Sequence, residues 1–357
     1  MAATSLLLPE WAPQSGIMLT WPHAHSDWRV QLDEIEPVYC ELVRAISAYE
    51  PALITVYDRS HLTHVQRRLH DTGVNLDKCV FVTEPTNDTW VRDYGPISVL
   101  ERGRPRLVDF GFNGWGGKFT ADLDDTLSRR LHARQIFGEI PFESADIVLE
   151  GGSIDTDGAG TIITTHSCLL NPTRNPQPDK RLLELKLKRF VGATRVVWLQ
   201  NSYLAGDDTD GHVDMLARFC GPRTLAYITS DQPDDEHYDS LMGLKEELEL
   251  AFPASAGYTL IALPLPRAIY DTDGHRLPAS YANFLIINGA VLVPCYGDPA
   301  DQTAMRRLKR AFPNHHLEGI DSTPLIRQHG SLHCATMQLP RGVLTGANAP
   351  HNELSAI

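Results

Sequence analysis

Small or polar residues followed by a run of alternating apolar positions recur along this chain. The segments are SGIMLTW from Ser15, GPISVL from Gly95, GGSIDT from Gly151, GHVDML from Gly211, SYANFL from Ser280 and GSLHCA from Gly330. Each reads as the start of a strand. Four continue into a turn and a second strand: ISVL-ERGRP-RLVDF, GSIDT-DGAG-TIITT, DMLARF-CGPR-TLAYI and NFLII-NG-AVLVP. Glycine in each turn and β-branched residues on both sides are the hairpin signature. Between the hairpins the apolar period lengthens to that of a helix over 32–49, 123–133, 179–190, 237–250 and 302–311. The short apolar runs ITVY (54–57), DIVLE (146–150), VVWL (196–199) and TLIALP (259–264) predict single strands.

The pattern is therefore a repeated unit of three strands and one helix. From Gly95 onward its starts are spaced by roughly 50–70 residues, the size of one supersecondary unit. Such units cannot bury their faces alone and must pack around a common centre. A ring would aim every segment start at one axis, with the N- and C-terminal segments completing a shared unit. No Pro/Ser-rich linker interrupts the chain, so a single domain over 1–357 is expected.

Composition narrows the function. The formal charge is −13 without a basic block, which argues against nucleic acid or an anionic membrane as partner. No apolar run reaches the ~18–20 residues of a membrane span. The start MAATSLLLPEW has no Lys or Arg before its short apolar stretch and does not read as a signal peptide, so a cytoplasmic protein is expected. Of the cysteines at 40, 79, 168, 220, 295 and 334, none forms a Cys-x-x-Cys pair. Five read as small core residues, and Cys334 stands apart because of its neighbours.

Polar residues gather near the segment starts. NDTWVRDYGP carries Asp88, Trp90, Arg92 and Asp93; VLEGGS carries Glu150; GDDTDGHVD carries Asp207, Asp208, Asp210, His212 and Asp214; GSLHC opens on Gly330 and carries His333 and Cys334. His212 and Asp214, two apart on a predicted strand, would share one face. Carboxylates with one histidine and one cysteine suit attack on a cation such as a guanidinium, which is planar, permanently charged and gripped bidentately by carboxylates. Its carbon is a poor electrophile and calls for a thiolate, and a bound cation favours that thiolate. Each residue also has a plainer explanation. A strand cysteine is usually core, an Asp-rich DDTDG is usually a turn, and paired glycines usually mark tight backbone. Their co-occurrence at matching places in the repeat is what points to chemistry.

At these residues the chain resembles the agmatine deiminase family of the guanidino-group-modifying (pentein) superfamily. The matching stretches are WVRDYGP (90–96), GFNGWGG (111–117), EGGSI (150–154), LLNPTRNP (169–176), DDTDGHVD (207–214), ASYANFLIING (279–289) and GSLHC (330–334). The resemblance implies a five-bladed α/β-propeller. It also implies Cys334 as nucleophile, His212 as general acid/base, and Asp93 and Asp214 as the carboxylates holding the guanidinium. It places Glu150 near substrate and His212, and implies Asp208, Trp90, Asp88 and Gly330 as further substrate contacts. The implied reaction turns agmatine into N-carbamoylputrescine and ammonia through an amidino-thioether, with no cofactor or metal. The chain departs from the family at HGSLHCATMQLP and SYANFLII, stretches bearing on the outer end of the pocket. Free arginine, peptidyl arginine or amidino transfer to an amine are therefore alternatives. A metal-dependent hydrolase using His212, Asp214, Asp208 and Glu150 is a more distant one. Homo-oligomerisation is left open.

Overall fold

The computed structural model describes residues 5–176 and 179–344; the first four residues of the N-terminal stretch discussed above lie outside them. The strands form five sheets. Three of them have three strands: Ile154–Thr156 with Thr161–Thr165 and Arg195–Leu199, Ala217–Gly221 with Thr224–Ile228 and Thr259–Leu263, and Leu285–Ile287 with Ala290–Cys295 and His316–Asp321. Each is an antiparallel hairpin whose second strand then pairs in parallel with a strand reached through a helix. The repeated unit of three strands and one helix is thus the observed one.

The other two sheets are the same unit with an added strand. Ile97–Glu101, Arg104–Gly111 and Phe142–Val148 gain Ser5–Leu7 on the edge. The last sheet is shared between the chain's two ends. Thr336–Pro340 runs antiparallel to Gln14–Thr20, which pairs in parallel with Ala52–Val56, and Cys79–Thr83 follows. This is the closure expected from the repeat.

Local chemistry sets the helix ends. In Lys180–Val191 the Asp179 side chain accepts from the amides of Arg181 and Leu182, and Gly192, at φ 73°, ends the helix in the left-handed region. Its Leu183, Leu187, Phe190 and Val191 are buried in one cluster with the sheets of Ile97–Glu101 and Ile154–Thr156, while Leu182 and Leu185 face out. Truncating Leu187 or Phe190 to Ala costs about 2–5 kcal/mol by the usual core scale. Among the described residues no helix is long and apolar enough to cross a membrane.

Hydrogen bonds between leading turns and first strands join neighbouring sheets into a circle. Gly152 N donates to Asp93 Oδ1 (2.9 Å), Phe219 N to Asp155 Oδ2 (3.0 Å), Asn283 Nδ2 to the Asp214 carbonyl (3.4 Å), His333 N to Asn283 Oδ1 (3.0 Å) and Arg92 N to the Cys334 carbonyl (3.2 Å). Each of the five sheets contributes to this circle. The architecture is the five-bladed α/β-propeller of the pentein fold.

Two expectations need correction. His212 and Asp214 are not on a strand: Val213–Met215 is a single 3₁₀ turn, and the strand starts at Ala217. Backbone that must turn toward the axis cannot also lie in a ladder, and the leading turns Val91–Tyr94 and Gly151–Ser153 behave alike. Cys295 is half-buried rather than core, because its strand ends there.

Candidate active site

The circle of turns carries the polar side chains singled out above. Asp93 sits in the helical turn Val91–Tyr94; its Oδ1 takes the Gly152 amide and its Oδ2 takes Trp115 Nε1 (2.9 Å). Glu150 precedes the Gly151–Ser153 turn and is fully buried. A Cβ on Gly152 would lie 2.7 Å from His212 Nδ1 and 3.0 Å from both Asp214 Oδ2 and Asp93 Oδ1. Only a glycine lets these three groups converge, so the glycine pair marks tight backbone at the heart of the site.

His212 is buried between two carboxylates. Its Nδ1 is 3.7 Å from Asp93 Oδ1 and its Nε2 is 3.7 Å from Glu150 Oε2. Neither nitrogen has a hydrogen-bond partner among the described residues. Burial works against the imidazolium, but Asp93, then the Cys168 sulfur and Glu150, outweigh it and hold the pKa well above the ordinary histidine value. Burial likewise pushes the Asp93 carboxyl up, to about 6, with His212 pulling it down and Asp214 pushing it further up.

Cys334 is 7 % exposed and faces Asp214 and Asn283. Its Sγ lies 3.6 Å from Asp214 Oδ2, and Asn283 Nδ2 donates to it at 3.2 Å. Burial, then the Asp214 and Asp93 charges, raise the thiol well above its ordinary pKa. Asp214 is the opposite case. Burial would raise it, but a hydrogen bond from His333 Nδ1 (2.7 Å) lowers it. Its other oxygen, Oδ1, is buried without a donor among the described residues. A thiol held neutral beside an orphaned carboxylate oxygen is a site built for a cation that donates hydrogen bonds.

Above this cluster opens a cavity of about 120 Å³, well under the ~300–1,000 Å³ of a drug-sized pocket, so a slender ligand is the one that fits. Its lining includes Asp93, His212 and Cys334 at the floor and Asp27, Asp88, Asp208 and His329 nearer the mouth. Trp90 and Gly330 form one wall; a Cβ on Gly330 would strike the Trp90 ring at 2.2 Å. Burial pushes the Asp88 carboxyl up to about 7 and raises that of Asp208, which His329 partly offsets. The other aspartates of the DDTDG segment are turn and ion-pair residues. Asp207 caps the amides of Thr209 (3.1 Å) and Gly211 (2.6 Å), and Asp210 pairs with Lys118 and Arg174.

The structure brings the site residues named from the sequence together: Cys334, His212 and Asp93 at the cavity floor, Asp214 and Glu150 fully buried against them, and Asp208, Trp90, Asp88 and Gly330 lining the cavity. Sequence reasoning passed over Asn283, Trp115 and Glu10. Asn283 holds the thiol, and its signal was its place at the start of the fourth repeat. Trp115 lies outside any segment start. Glu10 is a buried hub touching His333, Arg92 and Arg218, far from every motif. Cys168, read as core, is buried with its thiol 3.5 Å from Glu150 Oε2. The metal reading fares poorly on charge. Of its four candidate ligands, Glu150 is held by Arg174 Nε at 2.8 Å and Asp214 by His333. The trio at this site close enough to share an ion is instead Glu150, Cys168 and His212, and the Arg174 charge opposes a cation there.

The family model of Porphyromonas-type peptidyl-arginine deiminases matches residues 6–340. The chain belongs to that family. Within it, the agmatine deiminase of Stutzerimonas stutzeri is 32% identical over 93% of this chain and 94% of its own. A cysteine-to-serine variant of the C. jejuni agmatine deiminase, solved with substrate bound, is 38% identical at a TM-score of 0.88, covering 95% of this chain and 97% of that one. A Porphyromonas gingivalis structure, provisionally described as an arginine deiminase, is 45% identical at a TM-score of 0.88 and covers 95% and 99%. A family of guanidinium hydrolases agrees with the cation-seeking floor of the site.

Proposed function

We propose that this chain hydrolyses the guanidinium of agmatine to N-carbamoylputrescine and ammonia. The carrying observation is the buried Asp214 carboxylate, whose Oδ2 lies 3.6 Å from the neutral Cys334 thiol and whose Oδ1 has no donor among the described residues. Asp93 and Asp214 hold the guanidinium, and its charge lowers the thiol pKa so that the thiolate forms on binding, its proton passing to solvent and the sulfur regaining one from the hydroxyl as the ureido product leaves. The thiolate attacks the central carbon. His212, already an imidazolium, gives its proton to the departing nitrogen, and ammonia leaves. An amidino-thioether remains on Cys334. Neutral His212 then takes a proton from water, the hydroxide adds to the same carbon, and the thiolate leaves with release of the ureido product. Glu150 supports the His212 cation.

The tail is read from charge. The cavity wall carries Asp27, Asp88 and Asp208 and no Lys or Arg, which suits the terminal ammonium of agmatine and opposes the carboxylate of free arginine. The P. gingivalis likeness favours free arginine as the second reading. The ring of stitched turns supports one domain over the whole chain, and a cytoplasmic compartment goes with a small metabolite as substrate. Ammonia release from agmatine, arginine and peptidyl arginine tests the choice. Agmatine is expected to lead by at least about tenfold, the factor that 1.4 kcal/mol of charge discrimination gives; a lead for arginine would establish the second reading. Cys334→Ser is expected to be inactive while remaining folded.

A further inference from the structure

The LLNPTRNP segment resembles the family but has no part in the chemistry above. Its arginine is placed to take one. The Arg174 side chain is fully buried, and its guanidinium has three close partners besides a longer contact from Nη1 to Thr173 Oγ1 (3.4 Å). Nε donates to Glu150 Oε1 (2.8 Å), Nη1 to the Asp210 carboxylate, and Nη2 to the Thr209 carbonyl (2.9 Å). The remaining Glu150 oxygen, Oε2, is the one that lies 3.7 Å from His212 Nε2. Thr209 and its neighbour Asp208 line the substrate cavity. A Cβ on Gly116, next to the Trp115 that bonds Asp93, would lie 2.7 Å from Arg174 Nη1.

We propose that Arg174 is a positioning residue for the proton-transfer pair, holding Glu150 by one oxygen so that the other faces His212, and tying that pair to the 207–211 loop at the cavity wall. The inference rests on the deiminase reading. Its physical basis is threefold. An isolated carboxylate as buried as Glu150 takes up a proton, and a bonded guanidinium keeps it charged. An ionised Glu150 in turn keeps His212 a proton donor. A resident guanidinium on Glu150 also denies that carboxylate to the substrate, leaving Asp93 and Asp214 as the grip. Arg174 suits this better than Lys because three differently placed acceptors need a planar fork.

The test compares the full-length parent with Arg174→Gln and Arg174→Lys, using agmatine. For Gln, kcat is expected to fall about 100-fold with KM within about threefold, the pattern of an interaction serving the chemical step. Glu150 faces His212, Arg174, Cys168 and Asp93. Without Arg174, His212 alone is left to oppose the burial of Glu150, so the acid limb of kcat is expected to move toward neutral pH. Lys keeps the charge and is expected to recover about tenfold of the Gln loss, and it decides the matter should the Gln protein fail to fold. Unchanged kcat and pH limb, or a rise in KM alone, would overturn the role. An inactive parent would reject the deiminase reading itself, a separate outcome.

Discussion

Two buried histidines belong to the same centre, and each lies between two carboxylates. His212 stands 3.7 Å from Asp93 and 3.7 Å from Glu150 and bonds to neither. His333 donates to Asp214 at 2.7 Å and, more closely still, to Glu10. Both His333 nitrogens are thus engaged in short hydrogen bonds. The field at His212 is still strong, since charges interact well beyond bonding distance in a buried site. No directional bond has to break when its proton leaves. The same residue type in the same kind of sandwich is therefore a carrier in one place and a strut in the other, and about one ångström makes the difference.

Removing each ring is the sharpest way to break that comparison. His212→Ala is expected to lower kcat by about 10²–10⁴-fold, the usual worth of general acid–base catalysis. Its stability should fall less than that of the His333 variant, because Asp93 and Glu150 lose a facing charge but no hydrogen bond. If the first half-reaction survives, acid quenching after mixing with agmatine traps on Cys334 a mass increment of agmatine minus ammonia. Turnover within tenfold of the parent would make His212 a strut as well. His333→Ala should invert the pattern. It leaves Asp214 and Glu10 short of a buried partner, which costs about 3–5 kcal/mol of stability. Burial works against the Glu10 carboxylate, yet Arg218, His333 and Arg92 hold it well below the ordinary range. Stability from this group is thus present above the ordinary carboxylate pKa of about 4 and lost as pH falls below it. Urea titrations of parent and variant from neutral pH downward should show that acid loss shrinking in the variant. A stability change under about 1 kcal/mol, the scale of an exposed pair, would contradict the strut.

This contrast also marks how far the sequence could be read. The repeat was legible because each hairpin carries its own turn glycine and its own alternation, as at Ile154–Thr156 and Thr161–Thr165. Ring closure was legible because the end segments share that signature. Cys334, His212, Asp93 and Asp214 were legible because they occupy equivalent leading turns. The difference between His212 and His333 was not, since it depends on distances between residues far apart in the chain. Glu10 shows the same limit. It sits in an irregular stretch before the first long strand, and only the closed ring brings it onto Arg218 and His333. The 3₁₀ turn at Val213–Met215 was hidden because GHVDML alternates like a strand while its backbone bends inward.

Titration extends the comparison to the carboxylate beside the mobile ring. Asp93 is raised to about 6, chiefly by burial. A carboxyl raised above its ordinary value keeps its proton to higher pH, so the free protein loses its grip on a cation as pH falls through that value. The ratio kcat/KM for agmatine is expected to drop about tenfold per pH unit below 6, since this parameter reports the free enzyme's groups. Asp93→Asn should remove this limb along with most of the activity. A flat profile down to pH 5 would mean that Asp93 stays ionised without substrate, and would separate its environment from that of His212.

The smallest expected effect concerns the thiol behind the mobile ring. Cys168 lies 3.5 Å from Glu150 Oε2, the same oxygen that faces His212. Burial raises this thiol to about 11, with the Glu150 charge adding to the rise, so it is neutral at physiological pH. A neutral thiol donates to Glu150 weakly and adds less than the carboxylates to the field that holds the His212 proton. Cys168→Ala should therefore leave kcat within about threefold, the small end of single-site effects on a chemical step. The alkaline limb of the kcat profile should stay in place, because Asp93 and Glu150 chiefly set it. The variant also removes a second buried thiol from any labelling experiment on Cys334. Movement of the alkaline limb to lower pH in Cys168→Ala would show that the sulfur carries part of the His212 proton affinity. The mobile histidine would then rest on three groups, and the two-carboxylate symmetry with His333 would fail.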